Sequence, residues 1–279
     1  MNKPECCLID ADIIRYQDGA VLSKGDTITM GGAKIDIPQS EDAVRKRIKE
    51  RIDAIMEATG TKEFLIFLSY GKNFRYQRAT LQPYKGNREG FVKPFHFKTI
   101  QRIFEEEYAS NLVRCNQFEA DDFLGTFQEG DKTVICSRDK DLRIVGGWHY
   151  SWEAGKLNPE KPLYWIDELE GLRWFYTQCL TGDSTDNIIG CGERLPTKKD
   201  KTKLRRQGVG RKAADNLLQH CVDEVEMFAV VRSQYRLRFG GDGDRRFKEN
   251  GTLLWMSGEL IPWEDLPKTK EMFSKKDEY

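Results

Sequence analysis

The chain has 279 residues, and its 45 lysine and arginine residues are balanced by 45 aspartate and glutamate residues, so the formal net charge is zero. Hydrophobic residues at 39% and charged residues at 32% are typical of a globular protein and exclude a disordered or collagen-like chain. No window approaches the length of apolar sequence that crosses a membrane, and the N-terminal apolar run, broken by two aspartates, predicts no signal peptide. The seven cysteines form no CxxC pair, so we expect reduced thiols in a cytoplasmic protein.

The first half of the chain predicts strands that alternate with helices. Residues 6–9 are a short apolar run that ends in acidic residues, which indicates a buried strand with carboxylates at its C-terminal end. Apolar spacing then predicts helices at 41–58, 98–112 and 119–128, and strands at 63–68 and 132–136. This alternation predicts an α/β fold with a mostly parallel central sheet flanked by helices.

The second half has a different texture. An apolar helix at 172–180 is followed by a polar and basic stretch, and a glycine turn at 208–210 opens a further helix. We therefore expect an α/β core over residues 1–170 and a mainly helical region over residues 171–279.

Acidic residues recur where predicted strands end or predicted helices begin: Asp10, Glu119, Asp121, Asp122, Asp139, Asp141, Asp183 and Asp186. In an open α/β sheet such positions converge beyond the carboxyl ends of the strands, where crowded carboxylates repel one another. Divalent metal relieves that repulsion, and oxygen ligands without histidine favour Mg²⁺ or Mn²⁺ over zinc. Two such ions about 3.5–4 Å apart can activate a water and stabilise the leaving oxygen in phosphodiester hydrolysis.

Each acidic pair, taken alone, is better explained as a helix cap or a solvated loop. Asp139 and Asp141 would share a face of an extended segment, and Asp183 and Asp186 would share a face of a helical turn. It is the recurrence at successive element boundaries that favours a metal centre. Asp12 is ambiguous, because it could be a further ligand or the N-cap of the next helix.

Basic residues cluster in two places. Lys85 and Arg88 can donate to phosphate oxygens, and Tyr84 could stack on an unpaired base, although by chemistry alone a solvated turn explains the two cations better. Residues 194–212 hold nine basic residues against one acid, a pattern typical of segments that bind phosphate backbones. A disordered charged loop is the alternative for residues 194–207.

The motifs together resemble those of a known family. In chain order they are LIDAD at 8–12, YKGNR at 84–88, EADD at 119–122, SRDKDL at 137–142, GDSTDN at 182–187 and GVGRKAA at 208–214. This order resembles the 5′-nuclease family, which contains flap endonucleases, phage 5′–3′ exonucleases and the 5′-nuclease domain of bacterial DNA polymerase I. The resemblance covers roughly residues 6–220 and is greatest to the phage members.

The resemblance implies a PIN-like nuclease core with two Mg²⁺ ions, for which Mn²⁺ can substitute. It assigns the first ion to Asp10, Glu119, Asp121 and Asp139, and the second to Asp141, Asp183 and Asp186 with Asp122 alongside. Lys85 and Arg88 would reach the scissile phosphate and act with Asp139 and Asp141 in catalysis. One departure is clear, because Ser69 and Tyr70 stand where the family usually has a further aspartate.

The resemblance also implies a C-terminal helix–three-turn–helix element that binds duplex DNA and holds a potassium ion through backbone carbonyls. The expected substrates are duplex DNA with a 5′ end or flap and RNA–DNA hybrid, with no membrane partner, in the host cytoplasm if the chain is phage-encoded. The residues expected to contact DNA are Arg75, Tyr84, Lys198, Lys199, Arg205, Arg206, Gly208, Gly210, Arg211 and Lys212.

Two other functions stay open at this point. Ser69 in place of an acid motivates a structure-specific DNA-binding protein without useful catalysis. LIDAD and GDSTDN also resemble, faintly, the motifs of haloacid-dehalogenase phosphatases, but that hypothesis leaves EADD, YKGNR and GVGRKAA unexplained.

Overall fold

The computed structural model describes residues 3–20, 22–30, 33–256 and 258–275. In these ranges the strands are β1 (Cys6–Asp10), β2 (Leu22–Met30), β3 (Ala33–Pro38), β4 (Glu63–Tyr70), β5 (Leu112–Asn116), β6 (Thr133–Cys136), β7 (Gly147–Ser151), β8 (Lys161–Ile166), β9 (Gly192–Pro196) and β10 (Leu204–Gly208). The α-helices are α1 (Ala11–Gln17), α2 (Glu41–Thr59), α3 (Arg75–Arg78), α4 (Phe97–Glu107), α5 (Ala120–Phe127), α6 (Glu168–Thr181), α7 (Arg211–Leu218), α8 (Glu224–Phe239), α9 (Gly243–Leu254) and α10 (Pro267–Ser274).

A six-stranded sheet in the order β5-β4-β1-β6-β7-β8 forms the centre of the first half of the chain. The first five strands of that order are parallel, and β8 pairs with β7 in the antiparallel sense. Strands β1 and β4 are near-continuous apolar runs because helices cover both faces of a parallel sheet. The predicted α/β fold with a mostly parallel central sheet is therefore confirmed.

Helix α2 shows why these segments fold as they do. The side chain of Ser40 accepts a hydrogen bond from the amide of Ala43 at the helix start, and Gly60 ends the helix with a positive φ of 70°. Between them a stripe of apolar side chains faces the sheet and is buried: Val44, Ile48, Ile52 and Ile55. The parallel strands that α2 helps to cover all end at one edge of the sheet, and that edge carries the LIDAD, EADD and SRDKDL segments.

The prediction of a helix over 98–112 is wrong at its C-terminal end. The helix ends at Glu107, and the residues from Leu112 onward form strand β5 beside β4. Leu112 and Val113 continue the apolar spacing of the helix, so the pattern alone did not mark the boundary. The turn is made by the amide of Asn111, which donates to the carbonyl of Tyr108 at 2.9 Å.

Contacts along the chain divide it into two compact units. The first unit comprises residues 1–71, 91–142 and 147–166, and the second comprises 72–90, 143–146 and 167–279. The units are interleaved in sequence, so the YKGNR segment clusters with the C-terminal half. The predicted division at residue 170 into a nuclease core and a DNA-binding region stays a prediction.

The second unit is mainly helical, as predicted. Its core is aromatic, with rings from α6, α8, α9, α10 and the turn before α10 packed edge-to-face, tilted or, for Tyr235 on Phe247, stacked: Phe175, Tyr176, Phe228, Tyr235, Phe247, Trp263 and Phe273. The basic segment 194–207 is not a disordered loop, because β9 and β10 pair as an antiparallel hairpin. In the part of the chain that the structure describes, every helix is too short or too polar to cross a membrane.

Candidate metal centre and nucleic-acid interface

Asp10 is the last residue of β1 and the N-cap of α1. Its Oδ1 atom accepts hydrogen bonds from the amides of Asp12 at 3.0 Å and Ile13 at 3.2 Å. Its Oδ2 atom accepts a hydrogen bond of 2.6 Å from the hydroxyl of Ser137. The side chain is 1% exposed, because it lies where the strand gives way directly to the helix. Asp12 is therefore not the N-cap that one alternative assigned to it.

The SRDKDL segment folds as consecutive turns beside Asp10. Ser137 follows β6, and its hydroxyl oxygen accepts the amide of Asp139 at 2.9 Å. The Oδ1 atom of Asp139 in turn accepts the amide of Asp141 at 2.8 Å, and the ammonium of Lys140 lies 2.7 Å from Oδ1 of Asp141. A single serine hydroxyl thus links two segments that are 127 residues apart in sequence.

The electrostatics around Asp10 favour a cation. Burial, together with the charges of Asp12 and Asp139, raises the pKa of Asp10 to about 7, although the hydrogen bond from Ser137 opposes the shift. A carboxylate held only by neutral donors beside two other acids retains uncompensated negative charge. The donors here are carboxylate oxygens, which suit a hard divalent ion such as Mg²⁺ or Mn²⁺.

The EADD segment begins α5 at the same edge of the sheet. Glu119 is the N-cap, and its amide donates to the Oδ2 atom of Asp122 at 2.9 Å in a capping box. Burial raises the pKa of the Cys115 thiol, and the charges of Asp12, Asp121 and Asp122 raise it further. The acids of α5 and of α1 therefore surround the end of β5.

Ser69, which departs from the family pattern, has a structural partner. Its hydroxyl accepts the amide of Ala120 at 2.8 Å, so it caps the first turn of α5. Its own amide donates to Oδ1 of Asp12 at 3.4 Å, and Asp12 also forms an ion pair with Arg15. A carboxylate from α1 thus lies beside the position at which the family usually has an aspartate.

In the second unit, the YKGNR and GDSTDN segments meet at Asp186. The hydroxyl of Tyr84 donates to Oδ2 at 2.9 Å, Arg88 Nη2 donates to Oδ1 at 2.7 Å, and Lys85 Nζ lies 3.9 Å from Oδ2. The main chain joins too, because the amide of Lys85 donates to the carbonyl of Asp186 at 2.9 Å. Asp183 accepts the amide of Thr185 at 2.6 Å.

Two residues of this cluster have a left-handed backbone. Lys85 has φ 54° and Asn187 has φ 60°, a region that costs energy for residues other than glycine and that is common at functional sites. The side chain of Lys85 is 17% exposed and lies along Tyr84, while that of Arg88 is 40% exposed. A solvated turn therefore does not describe Lys85.

Within the described ranges, no group of three histidine, cysteine, aspartate or glutamate side chains stands ready to hold a metal ion. The contacts explain why. Asp186 is paired with cations, Asp141 with Lys140, and Asp122 with a helix amide. Metal binding would require some of these carboxylates to exchange partners, and the assignment of each acid to a first or second ion stays a prediction.

Two residues predicted to contact DNA are buried. Arg75 is 0% exposed. Its guanidinium donates to the carbonyls of Leu253 at 2.9 Å and Trp255 at 2.7 Å, at the C-terminal end of α9. Tyr84 is 3% exposed because its hydroxyl is committed to Asp186. The structure corrects both assignments, since neither ring nor guanidinium is on a surface that DNA could reach.

The other predicted contacts lie on the surface, with one exception. The exposed ones follow the β9–β10 hairpin and the start of α7: Lys198, Lys199, Arg205, Gly208, Gly210, Arg211 and Lys212. Arg206 is the exception, because its guanidinium turns inward to backbone carbonyls. Alternate side chains of a strand point to opposite faces, and Arg206 is on the face that turns toward these carbonyls, whereas Arg205 is on the other.

Ser137 is the site residue that sequence reasoning missed. The motif that contains it stands out by its two aspartates, and its pattern assigns no role to the serine. Its position directly after a buried strand, level with the end of β1, was the available signal. Its role as the link between Asp10 and Asp139 needed the pairing of β1 with β6.

The fold is similar to those of bacteriophage T5 nucleases. A T5 protein co-crystallised with metal ions aligns over 90% of this chain and 86% of its own, with TM-score 0.53 and 14% identity. A T5 5′-exonuclease mutant aligns over 90% and 84%, with TM-score 0.50 and 14% identity. A variant flap endonuclease of bacteriophage T5, in a pseudo-enzyme–product complex with DNA and metal ions, aligns over 90% and 99%, with TM-score 0.52 and 12% identity.

No protein-family model and no curated protein matches the chain in sequence. At identities of 12–14% the likeness concerns the fold, which includes both the parallel sheet and the helical C-terminal region. The chain therefore has the 5′-nuclease fold that the order of its motifs predicted.

Proposed function

We propose that the chain is a divalent-metal-dependent, structure-specific nuclease that hydrolyses phosphodiester bonds near the 5′ end of duplex DNA, as a 5′–3′ exonuclease or flap endonuclease. The observation that carries this proposal is the crowding of Asp10, Asp12 and Asp139 at the carboxyl ends of parallel strands. Support comes from the fold that the chain shares with three T5 structures. They are a protein co-crystallised with metal ions, a 5′-exonuclease mutant, and a flap endonuclease variant in complex with DNA and metal ions.

The proposed first metal group is Asp10, Glu119, Asp121 and Asp139, and the second is Asp141, Asp183 and Asp186 with Asp122 alongside. Mg²⁺, or Mn²⁺ in its place, would supply a metal-activated water and charge stabilisation of the leaving oxygen. Ser137 holds the Asp10 carboxylate in a fixed orientation, which keeps one oxygen directed at the Asp139 turn.

Lys85 and Arg88 are the proposed phosphate-binding cations. Both lie within 4 Å of the Asp186 carboxylate, which fixes them as a pair. A phosphate oxygen carries the same charge as that carboxylate and accepts the same donors, so the pair can exchange one for the other. Their charge would then balance the charge that develops on the phosphate in the transition state.

The exposed basic residues of the β9–β10 hairpin and the start of α7 are the proposed duplex-binding surface. RNA–DNA hybrid is a further proposed substrate, which would suit primer removal during phage DNA replication or recombination. The test is digestion of 5′-labelled duplex, flap and hybrid in Mg²⁺ and in EDTA. Cleavage of none of the three substrates in Mg²⁺ or Mn²⁺ would refute the proposal.

A DNA-binding protein without useful catalysis is the second candidate, favoured by Ser69 and by the commitment of Asp12 to Arg15. Duplex or flap binding without cleavage would support it. Release of phosphate from p-nitrophenyl phosphate, with no action on DNA, would instead support a phosphatase, against which the fold argues.

A further inference from the structure

Three backbone carbonyls converge on the guanidinium of Arg206. Arg206 Nε donates to the carbonyl of Ile189 at 2.8 Å, and Nη2 donates to the carbonyls of Leu180 at 3.1 Å and Val209 at 3.2 Å. Leu180 lies at the C-terminal end of α6, Ile189 lies in the loop that follows, and Val209 lies two residues before α7. One side chain therefore joins the three parts of the segment that connects α6 to α7.

The chemistry of this cage is that of a cation site. Carbonyl oxygens replace the hydration shell of a monovalent metal ion when several of them point at one centre. The C-terminal end of α6 adds its own preference for positive charge. Arg206 already supplies that charge, and its planar fork can serve several acceptors at once. The potassium ion that the sequence resemblance implied does not fit here, because the carbonyls already have a cation.

The hairpin holds Arg206 in this place. Arg206 pairs with Arg194 in the β9–β10 register, and the strands approach so closely that a Cβ atom at Gly208 would lie 2.5 Å from the carbonyl oxygen of Cys191. Partial burial lowers the pKa of the Arg206 guanidinium, yet the group stays charged because arginine titrates so far above neutral pH. The β9–β10 hairpin thus places the guanidinium of Arg206 beside the three carbonyls.

The Val209 contact bears on α7. In a trans peptide the carbonyl and the next amide point in opposite directions, so a carbonyl of Val209 directed at Arg206 sends the amide of Gly210 the other way. Gly210 is the N-cap of α7, and Arg211 and Lys212 follow it on the exposed surface. The cage therefore fixes the direction of the Gly210 amide, from which α7 begins.

We propose that Arg206 is the built-in cation of the α6–α7 segment: it takes the place of a monovalent metal ion and positions the start of α7. The segment is therefore independent of potassium. As a consequence for DNA binding, which rests on the function proposed above, Arg206 is a positioning residue and not a phosphate contact.

The test compares wild type, Arg206→Ala and Lys201→Ala in KCl and in LiCl of equal concentration. Lys201 is an exposed residue of the same hairpin, so its variant loses an equal charge without touching the cage. The first measurements need no DNA: the midpoint of thermal unfolding of the full chain, and hydrogen exchange of the hydrogen-bonded amides of Cys191, Val209 and Ala214. The dissociation constant for duplex DNA is measured afterwards.

We expect the wild type to unfold at the same temperature in both salts. In Arg206→Ala the amides of Cys191, Val209 and Ala214 should exchange at least about tenfold faster than in Lys201→Ala. These amides donate to carbonyls of the same segment, which loosens when its hydrogen bonds to a charged group are lost. Duplex affinity should fall by about tenfold, and it should do so at every salt concentration, because loss of a positioning contact leaves the salt slope unchanged.

Two outcomes would overturn the proposal. One is a wild type whose unfolding midpoint, or whose amide exchange at Cys191, Val209 and Ala214, differs between potassium and lithium, which would mean that a metal ion is still needed. The other is an Arg206→Ala variant with the exchange rates of Lys201→Ala. If the variant does not fold, the wild-type comparison of the two salts still decides. A wild type that passes these tests but binds no DNA would refute the proposed function and leave this inference intact.

Discussion

The two acidic clusters satisfy their carboxylates in opposite ways. In the first unit, Asp10 is held by two amides and one hydroxyl, with other acids nearby. In the second unit, Asp186 is held by Arg88, Lys85 and a tyrosine hydroxyl. Neutral donors orient a carboxylate but leave its charge, whereas cations cancel it. The first cluster therefore keeps negative charge, which the proposed metal ions would offset, whereas the second is neutralised by cations of the chain, which the proposed function assigns to phosphate.

The largest expected effect comes from removing an acid of the first cluster. Asp139→Asn should lower the Mg²⁺-dependent cleavage rate by about 10³-fold or more, because a metal ion contributes several kcal/mol to the stabilisation of the transition state. Duplex binding should survive. Single-turnover rates on a 5′-labelled flap measure the effect. Glu153→Gln is the control, since Glu153 is an exposed acid just beyond β7 of the same sheet.

That outcome separates a ligand from a structural acid. If Asp139→Asn cleaves nearly as fast as Glu153→Gln, the carboxylate of Asp139 is only an acceptor within its turn, where an asparagine oxygen would serve as well. The first cluster would then no longer be a metal centre.

The next effect comes from removing a cation of the second cluster. Lys85→Ala should lower the single-turnover rate at saturating DNA by about 10²–10³-fold, the usual cost of losing one well-placed donor to a developing charge. Substrate affinity should change much less, because the charge acts mainly in the transition state. Lys72→Ala, which removes an exposed charge from the same unit, is the control.

A saturated rate within about threefold of wild type, roughly 0.7 kcal/mol, would mean that Lys85 takes no part in catalysis. Lys85 would then serve Asp186 alone, and the variant should unfold at a lower temperature than Lys72→Ala. The two clusters would then differ in the partners of their carboxylates, but neither would bind phosphate.

The next prediction concerns the exposed cations of the β9–β10 hairpin, which belong to neither acidic cluster. Neutralising Lys198, Lys199 and Arg205 together should weaken duplex binding and lower the slope of log K against log salt by about 0.9 for each lost phosphate contact. Arg206 is left out because it faces the carbonyl cage. A slope equal to that of wild type, in a titration from low to moderate salt, would show that the hairpin does not bind the backbone.

The smallest effect concerns Asp244, a carboxylate that, like Asp186, is held by cations. Burial favours protonation of Asp244, but hydrogen bonds from Arg232 and Arg236 outweigh it and lower its pKa to about 2. Asp244→Asn should therefore lower the free energy of unfolding at neutral pH by about 1–2 kcal/mol, a modest value because the pair is partly exposed.

The pH dependence of that effect has a definite sign. A depressed pKa gives stability that is fully present above the ordinary value near 3.8 and is lost as the pH falls toward 2. Urea unfolding at pH 7 and at pH 2.5 measures it, with Asp215→Asn as a control, since Asp215 is an acid of the same unit that is paired with a single arginine at the surface. An Asp244→Asn deficit equal at both pH values would contradict the assignment.

Much of the fold and some of the site could be read from the sequence, because both depend on local patterns. The apolar runs of β1, β4 and β6 predicted the parallel sheet, because strands that are covered on both faces do not alternate between apolar and polar residues. The acids at their ends followed from strand boundaries alone. The hairpins β7–β8 and β9–β10 were not predicted, because their strands are short or charged and are defined by their partners.

Only the tertiary structure decided what each polar side chain does. Arg75, Tyr84 and Arg206 are the same residue types as DNA contacts, and no local pattern shows that the first two are buried or that the third meets three carbonyls. Ser137 acquires its role from a strand pairing across 127 residues. The sequence determines which charges the chain carries and near which strand ends, whereas the packing determines which of them the protein neutralises for itself, because burial and hydrogen-bond partners arise between distant segments.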